Sequence, residues 1–377
     1  MKRTLSWILI ISLIISIGIP GCGKNEKEIK IGAILPLTGD VAVWGNNTKE
    51  GIDLAVEKIN NSGGINESKV EIIYEDSKAL PSEGVSAIRK LITVDKVSSI
   101  IDNSVSSITL AMAPIAENNN VVILATGATA PEISEAGEYI FRIWNSDAEE
   151  GTVMADYAYD KLGLRNVAIL YVNNDYGKGL NDVFNKEFLE RGGKILTSQM
   201  FEQSEKDFRT QLTKIKENNP DAVYLVGYPR EVPQCLKQMK ELRLNVKVLS
   251  TVAFEDPHIL EIAKDAAEEV IYPYPITPIE EDTALQVFLT GYLNKYNKEP
   301  GITCDVGYDA VNMIALAIEL SGSSKGEDIQ KGLMMIKNYH GASGVIEFDK
   351  NGDVHKPIGM KTVKDGQFVW FDKILQK

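Results

Sequence analysis

Ile29-Lys-Ile-Gly-Ala-Ile-Leu-Pro36, then Leu37-Thr-Gly39, a stretch of helical period over 49–60, Ser62-Gly-Gly64 and Val70-Glu-Ile-Ile-Tyr-Glu75, decides the fold. A β-branched run, a turn, an amphipathic segment, a glycine break and a second β-branched run make one strand–helix–strand unit. The unit then repeats. Residues 97–101 and 121–125 read as further strands, with helices expected over 81–94 and 109–119, and a fifth extended run covers 138–144. A second series opens with a helix near Asp147. Its strands are expected at 167–172, 194–201, 222–226 and 246–250, and its helices at 178–191, 206–218 and 231–243. Arg191-Gly-Gly193 and Asn219-Pro-Asp221 punctuate two of these boundaries. The alternation predicts an α/β protein of two Rossmann-like lobes, each a parallel sheet covered on both faces by helices.

From Val270 the pattern changes. Tyr272-Pro-Tyr-Pro275 reads as a stiff extended crossover, followed by helices over 281–297 and 304–321. The tail returns to strands, with turns expected at Phe348-Asp-Lys-Asn-Gly-Asp353 and Lys364-Asp-Gly366. Several crossings then join the lobes, and the expected division is 29–146 plus 276–350 for lobe 1 and 147–275 plus 351–377 for lobe 2. A cleft between them would face the carboxyl ends of the strands, where such sheets bind ligands.

The amino terminus reads as an export signal. Lys2 and Arg3 precede an apolar stretch over 5–19, and Ile19-Pro-Gly-Cys22 follows. Gly18 and Pro20 break the run, which is shorter than the roughly 20 apolar residues of a membrane span. The end of the signal resembles the lipobox of bacterial lipoproteins, which implies lipidation of Cys22 and a short tether over 23–28. Pro20 departs from that pattern. About 355 residues remain after the signal, enough for two domains with real cores. A formal net charge of −13, with no block of Lys and Arg among aromatics, argues against nucleic acid as a partner. Cys235 and Cys304 are the remaining cysteines, and buried free thiols are expected in place of a disulfide scaffold.

Catalytic patterns are missing from the sequence. His258, His340 and His355 stand on separate elements, without a second ligand at metal spacing. No phosphate loop, dinucleotide fingerprint or nucleophile elbow occurs. Asp349-Lys-Asn-Gly-Asp353 is half of a calcium loop without its closing glutamate and reads as a turn. Neither a cofactor, a metal nor an enzymatic activity is expected.

The order Ile31-Gly-Ala-Ile-Leu-Pro-Leu-Thr-Gly-Asp-Val-Ala-Val-Trp-Gly45, Lys58-Ile-Asn-Asn-Ser-Gly-Gly64, Ala113-Pro-Ile-Ala-Glu117, Gly127-Ala-Thr-Ala-Pro-Glu132, Asn174-Asp-Tyr-Gly-Lys-Gly179 and Gly307-Tyr-Asp-Ala310 resembles the type I periplasmic binding proteins. The branched-chain amino acid binding proteins of ABC importers are the nearest group. The resemblance implies that two strand-end loops of lobe 1 hold the ligand's carboxylate. Ser106 and Ser107 at a helix start supply the first loop, and Gly127 and Thr129 the second. The plain alternative for Ser106 is an ordinary N-cap. Trp44, Tyr176 and Tyr228 match the aromatic walls of the side-chain pocket.

One position departs from the family. The acid that pairs with an amino-acid ligand's ammonium falls on Val252, so either Glu255 or Asp305 replaces it or the ligand has no ammonium. An unpaired ammonium in a closed cleft costs several kcal/mol. The resemblance implies a lipid-anchored, monomeric, extracytoplasmic receptor, in the periplasm or at the cell surface, that delivers a small carboxylate-bearing solute to an ABC permease. A branched-chain or other apolar amino acid is the first expectation. A different carboxylate or amide is the alternative, as is a sensor acting with a separate signalling chain.

Overall fold

The computed structural model of the protein describes residues 28–39, 41–276 and 283–372. The signal with Cys22 and most of the tether lie outside the described residues. Strands β1 (Glu28–Leu35), β2 (Lys69–Asp76), β3 (Ser99–Asp102), β4 (Val122–Ala125) and β5 (Ile140–Arg142) form one parallel sheet in the order β2-β1-β3-β4-β5. Strand β1 alternates its sides. Ile31, Ala33 and Leu35 face a cluster with α1 (Ala42–Asn61), α10 (Cys304–Ser321) and α11 (Gly326–Met335), while Ile34 faces α2 (Pro81–Lys90) and α3 (Ser106–Glu117). Each fully buried side chain of this kind contributes about 1.5–3 kcal/mol.

The second sheet has the order β14-β13-β10-β9-β8-β6-β7. Its parallel part consists of β6 (Asn166–Val172), β7 (Lys194–Phe201), β8 (Ala222–Val226), β9 (Lys247–Leu249) and β10 (Ile271–Pro275), and the pair β13 (Ile358–Lys364) and β14 (Gln367–Asp372) adds an antiparallel edge. Helices α4 (Asp147–Asp156), α5 (Asp175–Glu190), α6 (Arg209–Glu217), α7 (Val232–Glu241) and α8 (Pro257–Ala263) accompany it, while α9 (Thr283–Tyr296) packs against α1. A two-residue-turn ribbon of β11 (Tyr339–Gly341) and β12 (Gly344–Ile346) stands apart. The chain passes between the two sheets before α4, between β10 and α9, and between β12 and β13.

Several elements differ from expectation. Helix α1 begins seven residues before 49, because Ala42 to Thr48 continue the helix around the small Gly45. The segment Ile271–Pro275 is a strand within the second sheet, not a crossover outside it. Its two prolines are tolerated because β9 pairs with β10 at Ile271 alone, which leaves one ladder side without a need for N–H donors at Pro273 and Pro275. Helices α8 and α11 were not expected. The turn at 348–353 is present, closed by the Asp349 N–H donating to the Asp353 carbonyl at 2.8 Å, but no strand flanks it on its carboxyl side. The turn at 364–366 joins β13 to β14 as a hairpin, with Asp365 and Gly366 both at positive φ. Cys235 and Cys304 are free and buried.

Candidate ligand-binding site

The carboxyl ends of β3 and β4 meet the second sheet's loops in one narrow cleft. Asp102, at the end of β3, organises the first loop. Its carboxylate accepts from the Ser104 N–H at 3.0 Å and the Thr109 hydroxyl at 2.5 Å, and burial pushes its pKa up to about 6 against these bonds. The chain then turns into α3, whose N-cap is Val105, so Ser106 is the first helical residue and not the cap. The N–H groups of Ser106 and Ser107 therefore have no carbonyl one turn back, and they face the cleft end of the helix dipole.

Ser106 ties the second loop to the first. Its Oγ accepts from the Thr129 N–H at 3.2 Å and the Ala130 N–H at 3.1 Å. A serine hydroxyl has two acceptor sites and one donor, so with both acceptors filled the remaining capacity is donation. That proton is available to an acceptor in the cleft. Gly127 sits where a Cβ would be 3.0 Å from the Asn103 amide nitrogen, itself bonded to the Thr126 hydroxyl, so a side chain there would displace the brace between the loops. Behind Thr129, the fully buried Arg142 donates to the Thr129 and Ala130 carbonyls at 2.9 Å each and to Asp353 at 2.7 Å. Removing one member of a buried pair of this kind costs about 3–5 kcal/mol.

The second side carries the aromatics. Asn174 caps α5 by accepting from the Gly177 N–H at 3.0 Å, and its amide nitrogen donates to the Tyr228 hydroxyl at 3.1 Å. Gly177 lets α5 approach β6 so closely that a Cβ would lie 1.9 Å from the Val172 carbonyl oxygen. This approach sets Tyr176 against the cleft, stacked on Tyr228 with centroids 5.3 Å apart and its hydroxyl 2.7 Å from that of Thr251. Burial pushes both phenol pKa values well above their usual range, so both rings stay neutral. Trp44 enters from α1 with its ring edge-to-face against Tyr228, centroids 6.2 Å apart, and its indole N–H donates to the Asp256 carboxylate at 2.9 Å.

Trp44, Ser106, Gly127, Thr129, Tyr176 and Tyr228 thus line one cleft. Ser107 lies beside it, its hydroxyl 3.4 Å from the Asp175 N–H. Glu255 and Asp305 line a separate hollow with Tyr274 and Phe368. Glu255 there pairs with Lys361 and accepts from the Tyr272 hydroxyl, and Asp305 feels the buried Lys356. The cleft wall at the expected acid position is Val252, with Ala253 beside it. Sequence reasoning missed Trp144, Thr126 and Thr303 in the lining, and also Asp256 and Arg142. Trp144 fell inside a run read as strand, and Arg142 had no signal beyond one basic residue at a strand end.

Two α/β layers that meet at an aromatic-walled cleft, one side offering hydroxyls and helix N–H groups, define a two-lobed receptor for a small solute. The chain belongs to the type I periplasmic binding proteins, in the branched-chain amino acid group: the family model described as "Periplasmic binding protein" matches residues 28–367. That family is one of solute-binding proteins and not of enzymes. Among its relatives, a leucine-, isoleucine-, valine-, threonine- and alanine-binding protein of Pseudomonas aeruginosa is 28% identical over 89% of this chain and 90% of its own. A leucine binding protein, LivK, of Thermotoga maritima is 31% identical, covering 91% of this chain and 97% of its own, with a TM-score of 0.84. A solute binding protein of an ABC transporter from Rhodopseudomonas palustris, solved with 3,4-dihydroxybenzoic acid, is 25% identical over 92% and 97% of the two chains, with a TM-score of 0.82.

Proposed function

We propose that the protein is an exported, lipid-anchored receptor of an ABC importer, which closes on a small carboxylate-bearing solute and presents it to a membrane permease. The first sheet with its helices (29–146 plus 276–350) acts as one lobe and the second (147–275 plus 351–377) as the other. Cys22 carries the lipid, and the monomeric receptor works in the periplasm or at the cell surface. The observation that carries the reading is the Ser106–Thr129 cradle, where a spare hydroxyl proton and the helix N–H groups converge opposite Tyr176 and Tyr228. Such donors suit a carboxylate, and the apolar remainder suits an aliphatic or aromatic body. Branched-chain or other apolar amino acids are the first ligand class, in keeping with the names of the Pseudomonas and Thermotoga relatives.

A second reading, an aromatic carboxylate without an ammonium, is favoured by Val252 at the acid position and by the ligand of the Rhodopseudomonas relative. A thermal-shift panel of leucine, isoleucine, phenylalanine, 4-hydroxybenzoate and short amides tests both. Ligand at about 100 times its dissociation constant adds about 2.7 kcal/mol to stability. A shift with leucine or isoleucine supports the first reading, and one confined to ammonium-free carboxylates supports the second. No shift with any carboxylate would refute the cradle as a ligand site.

A further inference from the structure

The opening turn of α4 carries a chemical problem that the cradle does not solve. Asp147 and Glu150 stand one helical turn apart, and both are buried, Asp147 at 0% and Glu150 at 4% exposure. No donor meets either Asp147 carboxylate oxygen in hydrogen-bond geometry, although the Thr129 hydroxyl lies near enough to favour its ionised form. Glu150 accepts one bond, from the Val252 N–H at 3.0 Å, and among the described residues no donor meets its second oxygen. Buried carboxylates in this condition carry a desolvation penalty with little to offset it.

Their place relative to the cleft is specific. The Asp147 N–H donates to the Thr129 carbonyl at 2.8 Å, so Asp147 lies against the second cradle loop. The Glu150 carboxylate bonds the backbone of Val252, the residue that stands at the acid position of the family's amino-acid binders. Thr129, Tyr176 and Val252 all line the cleft, so the two acids lie directly behind this part of its wall.

Resting on the reading of this cleft as the ligand site, we propose that Asp147 and Glu150 form its cation subsite: the ligand's ammonium is held by carboxylates delivered from α4 in place of an acid at Val252. The Thr129 backbone joins the two: its N–H donates to Ser106 in the carboxylate cradle, and its carbonyl accepts from the Asp147 N–H. Among the described residues Arg142 is the cation facing Asp147, and its guanidinium is already engaged by Asp353, Ser134 and two carbonyls. Glu132 adds a further negative charge on Asp147, and Tyr176, Tyr224 and Tyr228 face the pair as neutral phenols. Burial, and for Glu150 the neighbouring Asp147, holds both carboxyls protonated well above the usual range. An arriving ammonium would ionise them, so binding would release protons to solvent.

The test is isothermal titration of the purified protein with leucine and with 4-methylpentanoate, its counterpart without the amino group, on wild type, Glu150→Gln and Asp147→Asn. Leucine affinity is expected to fall about 10- to 100-fold in each variant, since a hydrogen bond to a charged group is lost. Affinity for 4-methylpentanoate is expected to hold or rise. Leucine binding to wild type near pH 7 should also release protons, seen as a dependence of the heat on the buffer's ionisation enthalpy, and 4-methylpentanoate should release none. This second measurement needs no variant. Val252→Glu in the Glu150→Gln background should recover leucine affinity. Equal losses for both ligands, an unchanged leucine affinity in both variants, or leucine binding without proton release would overturn the subsite and leave the cradle standing. Binding of 4-methylpentanoate but not of any amino acid would also overturn it, whereas no binding of any carboxylate in the thermal-shift panel would refute the cleft assignment itself.

Discussion

Trp44→Phe isolates one bond that spans the cleft. The indole N–H of Trp44, on α1 beside the first sheet, donates at 2.9 Å to Oδ2 of Asp256, in the loop that leads from the second sheet into α8. The other oxygen of Asp256 already accepts from the His258 N–H at 2.9 Å as the cap of α8. Phenylalanine keeps an aromatic ring against Tyr228 and removes the donor. In an open state of the proposed receptor both groups would be hydrated, so the bond would favour the closed arrangement alone. A bond to a charged acceptor is worth about 1.5–3 kcal/mol net, which is about 10- to 150-fold in the closing equilibrium. If the unliganded protein is mostly open, apparent ligand affinity falls by that same factor, because it scales with the closed fraction. Titration calorimetry on wild type, Trp44→Phe, Asp256→Ala and the double variant separates the bond from loss of ring area and of the cap. A coupling of at least about 1 kcal/mol is expected in this cycle, while the unliganded protein, already mostly open, keeps its radius of gyration in small-angle scattering when the bond is removed. Additive effects within about 0.5 kcal/mol would refute the bond as a closing contact.

Ser106→Ala combined with Thr129→Ala should weaken any carboxylate ligand by about 1.5–3 kcal/mol for each donor lost, read by calorimetry, and an unchanged affinity would remove the cradle. Gly51→Ala should lower the melting temperature markedly, since its Cβ would stand 1.9 Å from the Cys304 carbonyl oxygen where α1 and α10 touch; overpacking costs about 1–3 kcal/mol, and an unchanged melting temperature would contradict this packing. The pH dependence of the unliganded protein follows from Asp147, whose carboxyl is pushed up to about 8 by burial. The unfolded chain loses this proton near its ordinary value of 3.8 and the folded one near 8, so the folded state binds more protons in between. Stability therefore declines as pH rises from about 4 to about 8. Asp147→Asn should flatten this slope in thermal melts across that range, and an identical slope would show that Asp147 titrates normally.

The central strands were legible in the sequence because parallel strands buried on both faces are short β-branched runs, and 222–226 stands in the structure with those bounds and every residue buried. The starts of α1 and α5 were read late because Gly45, Asn46 and Asn47 in the first and Asp175 in the second also suit loops. The Tyr272–Pro275 segment was misplaced for another reason. Proline excludes a residue from the interior of a ladder, and only the structure reveals that β9 meets β10 at Ile271 alone. Trp44, Tyr176 and Tyr228 were singled out through the resemblance to the family, and they line one cleft although Trp44 stands inside α1. Asp147 and Glu150 were not, since acids in the first turn of a helix complement its dipole and read as ordinary. What sets them apart is burial beneath a neighbouring loop, which no local pattern records.

The late helices bear on the order of folding. Thr48 on α1 shares a hydroxyl bond with Thr303, and the Lys58 ammonium meets the Tyr308 hydroxyl, partners about 250 residues apart in the chain. One face of the first sheet therefore stays only partly covered, by α1, until α10 has left the ribosome, however early β1 to β5 are made. Such non-local closure slows folding and keeps apolar surface exposed in the nascent chain. A polypeptide ending before residue 304 would be expected to aggregate or be degraded, while one handed to an export machinery gains from remaining unfolded for that long.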